Sequence, residues 1–279
     1  MLDKKARVKE VRDLGAANYL LTLSSPEQAR LARPGQFLMV KCSEDVDEHP
    51  LLRRPFSVFA IHSDGRTGSP IGLEILVKDV GAGTHKLVQI RPGQKVCALG
   101  PQGRPFQLSK EMSREVHYAC LVAGGVGIAA LYLLALELAA LGVTPVLFYG
   151  ARTSAKLVLR EYFERLGIET RYATEDGSLG DQGLVTAPLN RFLREHSREG
   201  LRIYACGPWA MMRAAHSLAQ RYLVTCEVSL EARMGCSLGA CMGCVVRAAG
   251  EAGPSHYVRV CMEGPVINSR MIDWDLPPL

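Results

Sequence analysis

Residues 118–142, YACLVAGGVGIAALYLLALELAALG, decide the fold of this chain. The stretch begins as an apolar run, turns at Gly124, Gly125 and Gly127, and continues as a second apolar run that stops at Gly142. Residues 118–136 carry no charge and are long enough to resemble a membrane span. The three glycines divide that run, so the pattern instead predicts a buried strand, a turn and a helix.

The same alternation continues towards the C-terminus. Predicted strands are 116–123, 143–149, 168–173 and 201–206, and predicted helices are 128–141, 156–166 and 209–221. Helices that connect consecutive strands imply a parallel sheet covered on both faces. We therefore predict an α/β domain with a parallel sheet over residues 109–222.

The residues on either side of this domain have different patterns. Short predicted strands at 37–41, 56–60, 73–77 and 94–99 are separated by Pro-Gly and Gly-rich turns. This pattern is typical of a small antiparallel β-barrel, which we predict over residues 1–108. Residues 223–279 form a third segment, a small cysteine-rich lobe with a Pro-rich tail. The predicted fold class is therefore multidomain.

The composition excludes several classes of protein. The chain has 279 residues, of which 48% are hydrophobic, and a formal net charge of +5. Its lysines and arginines are dispersed, which does not favour a nucleic acid or a membrane surface as partner. The opening MLDKK has no secretory apolar region, so we expect a cytoplasmic protein in a reducing compartment. Residues Glu44, Asp45, Asp47 and Glu48 are expected to form a solvated loop.

Four cysteines near the C-terminus are spaced C-x4-C-x2-C…C. They are Cys236, Cys241, Cys244 and Cys261. This is the plant-type spacing for a [2Fe–2S] cluster, and intervening glycines let the backbone aim N–H groups at the sulfurs. Zinc is an alternative, although structural zinc sites usually have two C-x2-C pairs and only one is present. Unligated cysteines are the third interpretation, as expected for the five other cysteines, scattered singly in apolar stretches.

Three short motifs have phosphate-binding or nucleotide-binding chemistry. The glycine turn at 123–130 follows a predicted strand and opens a helix, where amides and the helix dipole favour a pyrophosphate. The next strand ends FYGAR without the acidic residue of a Rossmann dehydrogenase, so we do not expect that type of domain. The segments 53–57 and 81–85 combine an arginine or a glycine turn with a hydroxyl group. Alone, either segment is better explained as an ordinary strand start or turn than as a ligand site.

These motifs occur in a definite order. They are Arg54-Pro55-Phe56-Ser57, Gly81-Ala82-Gly83-Thr84, Gly100-Pro101-Gln102-Gly103, Gly124-Gly125-Val126-Gly127 and Cys206-Gly207-Pro208. In this order they resemble the ferredoxin–NADP reductase family over residues 1–222. The segments 234–244, MGCSLGACMGC, and 257–266, YVRVCMEGPV, resemble the lobe of electron-transfer subunits of type B dihydroorotate dehydrogenase. Such proteins carry FAD on a β-barrel and a nicotinamide nucleotide on an α/β domain.

The resemblance implies roles for individual residues. It places FAD against Arg54, Pro55, Phe56, Ser57, Leu76, Val77, Lys78, Gly83 and Thr84. It places NAD(H), as an exchangeable substrate, against Gly124, Gly125 and Gly127, with Cys206 as the catalytic residue near the nicotinamide ring. It makes Cys236, Cys241, Cys244 and Cys261 the ligands of a [2Fe–2S] cluster.

The implied function is electron transfer. Nicotinamide exchanges a hydride, whereas a cluster passes single electrons, so a flavin must lie between them. The predicted domains leave no region for the site of an organic substrate. The resemblance therefore implies a partner, the FMN-containing dihydroorotate dehydrogenase catalytic subunit, in an assembly of two plus two chains. Electrons from dihydroorotate would pass from FMN through the cluster and FAD to NAD⁺, in pyrimidine biosynthesis.

Two alternatives to this function remain at the level of sequence. The chain is also similar in domain order to flavin subunits of ferredoxin-dependent NADP transhydrogenases, sulfide dehydrogenases and cytosolic hydrogenases. From another class, a zinc-stabilised nucleotide-binding module would have no redox role. The preference for NAD or NADP is open as well, because Arg152 is suited either to a 2′-phosphate or to solvent.

Overall fold

The structure, a computed structural model, describes residues 2–42, 49–250 and 257–277. The acidic loop predicted at Glu44, Asp45, Asp47 and Glu48 lies outside the described residues. Two large bodies account for most of the chain: an N-terminal barrel and a sheet covered by helices. This arrangement confirms the predicted fold class.

The N-terminal body is a closed, six-stranded antiparallel barrel with strand order β1-β2-β5-β4-β3-β6. Its strands are β1 (Leu2–Gly15), β2 (Asn18–Ser24), β3 (Phe37–Val40), β4 (Arg54–Ser63), β5 (Pro70–Lys78) and β6 (Lys95–Gln102). Helix α1 (Pro26–Leu31) follows β2, and α2 (Ala82–Val88) follows β5. The sequence pattern located the last four strands but missed the first two.

The missed strand β1 has a physical explanation. Its sequence, LDKKARVKEVRDLG, is mostly charged, and only Ala6 and Val8 are buried. The strand therefore lacks the continuous apolar alternation that predicts a half-buried strand. It is held by backbone pairing instead: β1 pairs with β2 on one side and with β6 on the other, which closes the barrel.

The second body is a seven-stranded sheet with order β10-β9-β8-β7-β11-β12-β15. Its strands are β7 (Tyr118–Gly124), β8 (Thr144–Ala151), β9 (Glu169–Thr174), β10 (Asp181–Gln182), β11 (Leu201–Cys206), β12 (Thr225–Ser229) and β15 (Val266–Asn268). Its helices are α3 (Tyr132–Ala140), α4 (Arg160–Arg165), α5 (Thr186–Glu195) and α6 (Trp209–Arg221). All its pairings are parallel except that of β12 with β15.

The predicted boundary at residue 222 does not coincide with an end of this sheet. Strand β12 lies beyond that boundary and pairs in parallel with β11, for example Cys206 with Ser229. Strand β15 then adds an antiparallel edge to β12. The C-terminal segment is therefore built onto the sheet. A separate two-stranded sheet of β13 (Val245–Arg247) and β14 (Tyr257–Arg259) packs its buried residues Val246 and Val258 into the same hydrophobic core. Backbone pairing across the boundary, which has no periodic signal in the sequence, is the reason for the difference.

The glycine turn also differs in detail from the prediction. Residues Gly125–Ala130 form a 3₁₀ helix, and α3 begins only at Tyr132. Gly125 has φ +54°, a left-handed conformation that glycine adopts without a Cβ penalty. The expected strand–turn–helix order is present, but the first turn after the strand is tighter than an α-helix.

The apolar run that resembles a membrane span is divided between β7, the 3₁₀ turn and the start of α3. Among the helices of the described residues, none is both long and apolar enough to cross a bilayer.

Candidate functional site

A cleft of about 830 Å³ lies where the barrel, the glycine turn and the chain after β12 meet. Of the residues predicted to hold FAD, it is lined by Arg54, Pro55, Phe56, Ser57, Leu76, Lys78, Gly83 and Thr84. Its far wall is formed by Val126 and Ala129 of the glycine turn and by residues 229–234. The structure therefore brings together motifs that are up to 180 residues apart in sequence, counting from Arg54 to Met234.

Val77 is the predicted FAD residue whose side chain does not line the cleft. It is fully buried among the apolar side chains inside the barrel. Its neighbours Leu76 and Lys78 reach the cleft because successive side chains of a strand point to opposite faces. The pattern of strand β5 thus assigns alternate residues to the cleft and to the barrel core.

Two adjacent arginines at the start of β4 have different surroundings. Arg53 makes two hydrogen bonds to the carboxylate of Asp3, at 3.0 and 2.9 Å. Arg54 lines the cleft and donates from Nη1 to the carbonyl oxygen of Leu52 at 2.7 Å. Within the described residues it makes no ion pair with a carboxylate, so its charge is available to an anion in the cleft.

The glycine turn at residues 81–84, which forms the start of α2, lines the cleft. Thr84 Oγ1 accepts hydrogen bonds from the backbone N–H groups of Val80 at 2.9 Å and Gly81 at 3.1 Å. A methyl group on Gly83 would lie 3.1 Å from the sulfur of Cys42, so a larger residue would crowd the turn. The hydroxyl of Thr84 therefore holds the turn in shape at the cleft surface.

The glycines of the 124–127 turn allow it to pack tightly on Cys206-Gly207-Pro208. A methyl group on Gly127 would lie 2.2 Å from the carbonyl oxygen of Cys206, and one on Gly124 would lie 2.5 Å from Pro208. No Cβ atom tolerates such contacts, so glycine is required by packing at both positions. The contact places the two predicted nicotinamide motifs side by side next to the cleft.

Cys206 lies behind the cleft wall and not on it. The thiol is buried at the end of β11, paired with Ser229 of β12. Burial raises its pKa well above the ordinary range for a thiol, and the nearby Glu231 carboxylate adds to the rise. Cys206 is therefore a neutral thiol, which can donate a hydrogen bond or pack against a ring but is not a nucleophile.

Glu231 is a residue of the cleft that sequence reasoning missed. Its side chain is exposed and lines the cleft, where partial desolvation raises the pKa of the carboxyl group and the positive charge of Lys78 opposes that rise. A lone acidic residue ahead of the first cluster cysteine carries no spacing signal. Only the position of β12 shows that it faces the cleft.

The four predicted cluster cysteines come together as two pairs. Cys236 Sγ accepts hydrogen bonds from the N–H groups of Leu238 and Cys241, both at 3.3 Å, which lower the pKa of Cys236 to about 6. The side chains of Cys236 and Cys241 contact each other, as do those of Cys261 and Cys244. The thiol of Cys261 also interacts electrostatically with that of Cys236, so the two pairs are neighbours.

This pairing fits two irons better than one zinc ion. In the part of the chain that the structure describes, no three His, Cys, Asp or Glu side chains are grouped to hold a metal ion, so the choice between the metals rests on the pairing alone. A structural zinc site needs four ligands around a single ion, whereas each iron of a [2Fe–2S] cluster takes two cysteines. Two adjacent thiol pairs, with amide N–H groups aimed at a sulfur, therefore match the cluster.

Large apolar side chains surround this cysteine site. Leu238, Met242 and Met262 are 50%, 49% and 46% exposed. The cysteine loop therefore presents apolar side chains, Met242 among them, at the surface.

Two family models match the chain. Residues 231–273 match the iron–sulfur cluster binding domain of dihydroorotate dehydrogenase B. Residues 121–217 match the oxidoreductase NAD-binding domain. The two matches fall on the cysteine site and on the sheet with the glycine turn.

Similar proteins cover nearly the whole chain. The dihydroorotate dehydrogenase B (NAD⁺) electron transfer subunit of Desulforamulus reducens is 37% identical over 97% of this chain and 98% of its own length. The same subunit of Bacillus caldolyticus is 39% identical over 95% and 96%. Among solved structures, a chain of the NADH-dependent reduced ferredoxin–NADP oxidoreductase superposes with a TM-score of 0.81 at 27% identity, over 98% and 91%.

Proposed function

Because this chain belongs to the family of dihydroorotate dehydrogenase B electron transfer subunits, we propose that it carries electrons between a dihydroorotate-oxidising partner and NAD⁺. One observation supports this order most directly. The cleft wall formed by residues 231–234 continues, after a single glycine, into the first cluster ligand, Cys236. Val126 and Ala129 of the nucleotide turn line the same wall. The cleft therefore adjoins both the nicotinamide motifs and the cysteine site.

When bound, FAD and a [2Fe–2S] cluster supply the conversion between hydride transfer and single-electron transfer. The residues of the chain bind and orient these groups. In our proposal Arg54 and the turn at Gly83 and Thr84 hold the flavin phosphates, while Phe56, Ser57 and Leu76 flank the ring system. In the same proposal the nicotinamide binds next to Cys206 and Glu231.

The partner in this proposal is a catalytic subunit that contains FMN and oxidises dihydroorotate, in an assembly of two plus two chains. Electron transfer between proteins requires close approach of the two centres. The exposed side chains of Leu238, Met242 and Met262 around the cysteines provide an apolar surface for such a contact.

The alternative within the same class is a flavin subunit of a ferredoxin-dependent NADP transhydrogenase. It is favoured by the fold similarity to the NADH-dependent reduced ferredoxin–NADP oxidoreductase. The higher identity of the dihydroorotate dehydrogenase B subunits, 37–39% against 27%, favours the first proposal.

Orotate formation tests the proposed function. The purified chain is expected to reduce small dyes with NADH but to form no orotate from dihydroorotate and NAD⁺ until an FMN-bearing catalytic subunit is added. Orotate formed by the chain alone would contradict the subunit assignment. NADPH-dependent reduction of ferredoxin in place of dihydroorotate oxidation by the complex would favour the transhydrogenase.

Arg54 provides a second test, directed at FAD. Replacing Arg54 by alanine is expected to weaken FAD binding by about 1.5–3 kcal/mol, because a charged donor to a phosphate is lost. Equilibrium dialysis gives the change in dissociation constant. Arg53→Ala is the matched control, since Arg53 is engaged by Asp3. Equal FAD affinity in the Arg54 variant and the wild type would return Arg54 to a structural role.

A further inference from the structure

Ser237 is a buried residue whose hydroxyl has no hydrogen-bond partner in the described part of the chain. It lies between Cys236 and Leu238, in the loop that joins the first two cysteines of the site. Its side chain is 3% exposed, and its Oγ finds no donor or acceptor among the described residues. Buried hydroxyl groups in proteins are nearly always paired, and an unpaired one is destabilising by about 1–3 kcal/mol.

The backbone at Ser237 is unfavourable as well. Its φ is +54°, in the left-handed region that few residues other than glycine adopt. Glycine would avoid both the strained backbone and the unpaired hydroxyl. The serine side chain therefore combines two destabilising features at one position, which indicates that its hydroxyl has a role in the cofactor-loaded protein.

The surrounding loop is built to direct hydrogen-bond donors at sulfur. The N–H groups of Leu238 and Cys241 both donate to Cys236 Sγ at 3.3 Å. Arg259 fixes the same loop from outside, because its Nη1 donates to the carbonyl oxygen of Gly239 at 3.3 Å. The Ser237 hydroxyl belongs to this same loop, in the residue that follows Cys236, and the loop directs its N–H donors at a sulfur atom of the site.

We propose that the Ser237 hydroxyl donates a hydrogen bond to a sulfur atom of the [2Fe–2S] cluster and thereby raises the reduction potential of that cluster. This inference rests on the proposed function, because it requires the cluster to be present. Reduction adds one negative charge to the cluster, and a hydrogen bond to its sulfur stabilises the reduced form more than the oxidised form. Ser237 is thus a tuning residue that does not itself ligate iron.

The test is a redox titration of the full chain with its FAD and cluster, followed by the electron paramagnetic resonance signal of the reduced cluster. Two variants separate the hydroxyl from the backbone. Ser237→Ala removes the hydroxyl and keeps the Cβ, whereas Ser237→Gly removes both. Both variants are expected to lower the equilibrium constant for cluster reduction by about tenfold, which is 59 mV for a one-electron couple. Because the hydroxyl exchanges with solvent, D₂O is expected to shift the iron–sulfur stretching bands of the wild type more than those of Ser237→Ala.

The outcomes distinguish this inference from the proposed function. An unchanged potential in both variants, or a shift in Ser237→Gly alone, would overturn the role of the hydroxyl. If Ser237→Ala fails to assemble, the glycine variant and the D₂O shift of the wild type still decide the question. A wild-type chain without acid-labile sulfide or a cluster signal would instead contradict the proposed function itself.

Discussion

Replacing Cys241 by serine is expected to remove the cluster while leaving NADH-dependent reduction of the flavin nearly unchanged. The hydride step uses the cleft and the glycine turn, whereas Cys241 belongs to the exposed part of the cysteine site. Loss of one thiolate leaves its pair with Cys236 incomplete, so one iron loses half of its protein ligands. Iron and sulfide analysis, visible absorption and stopped-flow reduction by NADH measure the two effects separately.

Cys97→Ser is the control for this experiment, because Cys97 is half-buried on β6 of the barrel and is remote in sequence from the cysteine site. It is expected to retain the cluster and all activities. In the complex with the catalytic subunit, Cys241→Ser should abolish orotate formation coupled to NAD⁺ reduction. If flavin reduction by NADH were lost in a folded Cys241 variant, the order of nicotinamide, flavin and cluster would be wrong.

Replacing Gly127 by alanine is expected to destabilise the sheet domain strongly. The added methyl group would lie 2.2 Å from the carbonyl oxygen of Cys206, and a backbone atom in a central strand cannot move aside without displacing β11. Overpacking usually lowers the free energy of unfolding by about 1–3 kcal/mol. For Gly127→Ala we expect a loss of about 3 kcal/mol or more, which corresponds to a fall of roughly 6–12 °C in melting temperature. Reduction of the flavin by NADH should fall as well, because Val126 and Ala129 of the same turn line the cleft.

Gly125→Ala in the same turn is the matched control. No heavy atom lies within 4 Å of a methyl group placed there, and only the positive φ of +54° opposes the substitution. Gly125→Ala is expected to lower the free energy of unfolding by only about 1 kcal/mol. Thermal unfolding of both variants with FAD bound provides the comparison. Equal stabilities of the two variants would show that the contact with Cys206 is not the reason why position 127 requires glycine.

The sequence predicted those parts of the fold that have a local signal. Strand β11 and helix α6 have the predicted bounds, 201–206 and 209–221, because their apolar periodicity ends sharply at Gly207-Pro208 and near Tyr222. The parallel order of β7, β8 and β9 followed from the helices between them. By contrast, β1 was missed, because most of its residues are charged. It is held by backbone pairing with β2 and β6, which its own sequence does not reveal.

The sequence by itself determined the chemistry of this protein: the cysteine spacing that suits two irons, the glycines that permit the turn at 124–127, and the arginine of an Arg-Pro-Phe-Ser segment. These are local properties, because ligand spacing and backbone freedom depend on neighbouring residues. Only the tertiary structure decided which groups share one cleft. It placed Glu231 in the cleft, turned Val77 into the barrel and buried Cys206 at the end of β11. It also left the Ser237 hydroxyl without a partner among the residues that are described. Which side chains are buried and which line the cleft depends on contacts between distant segments, and those contacts exist only once the barrel and the sheet have packed together.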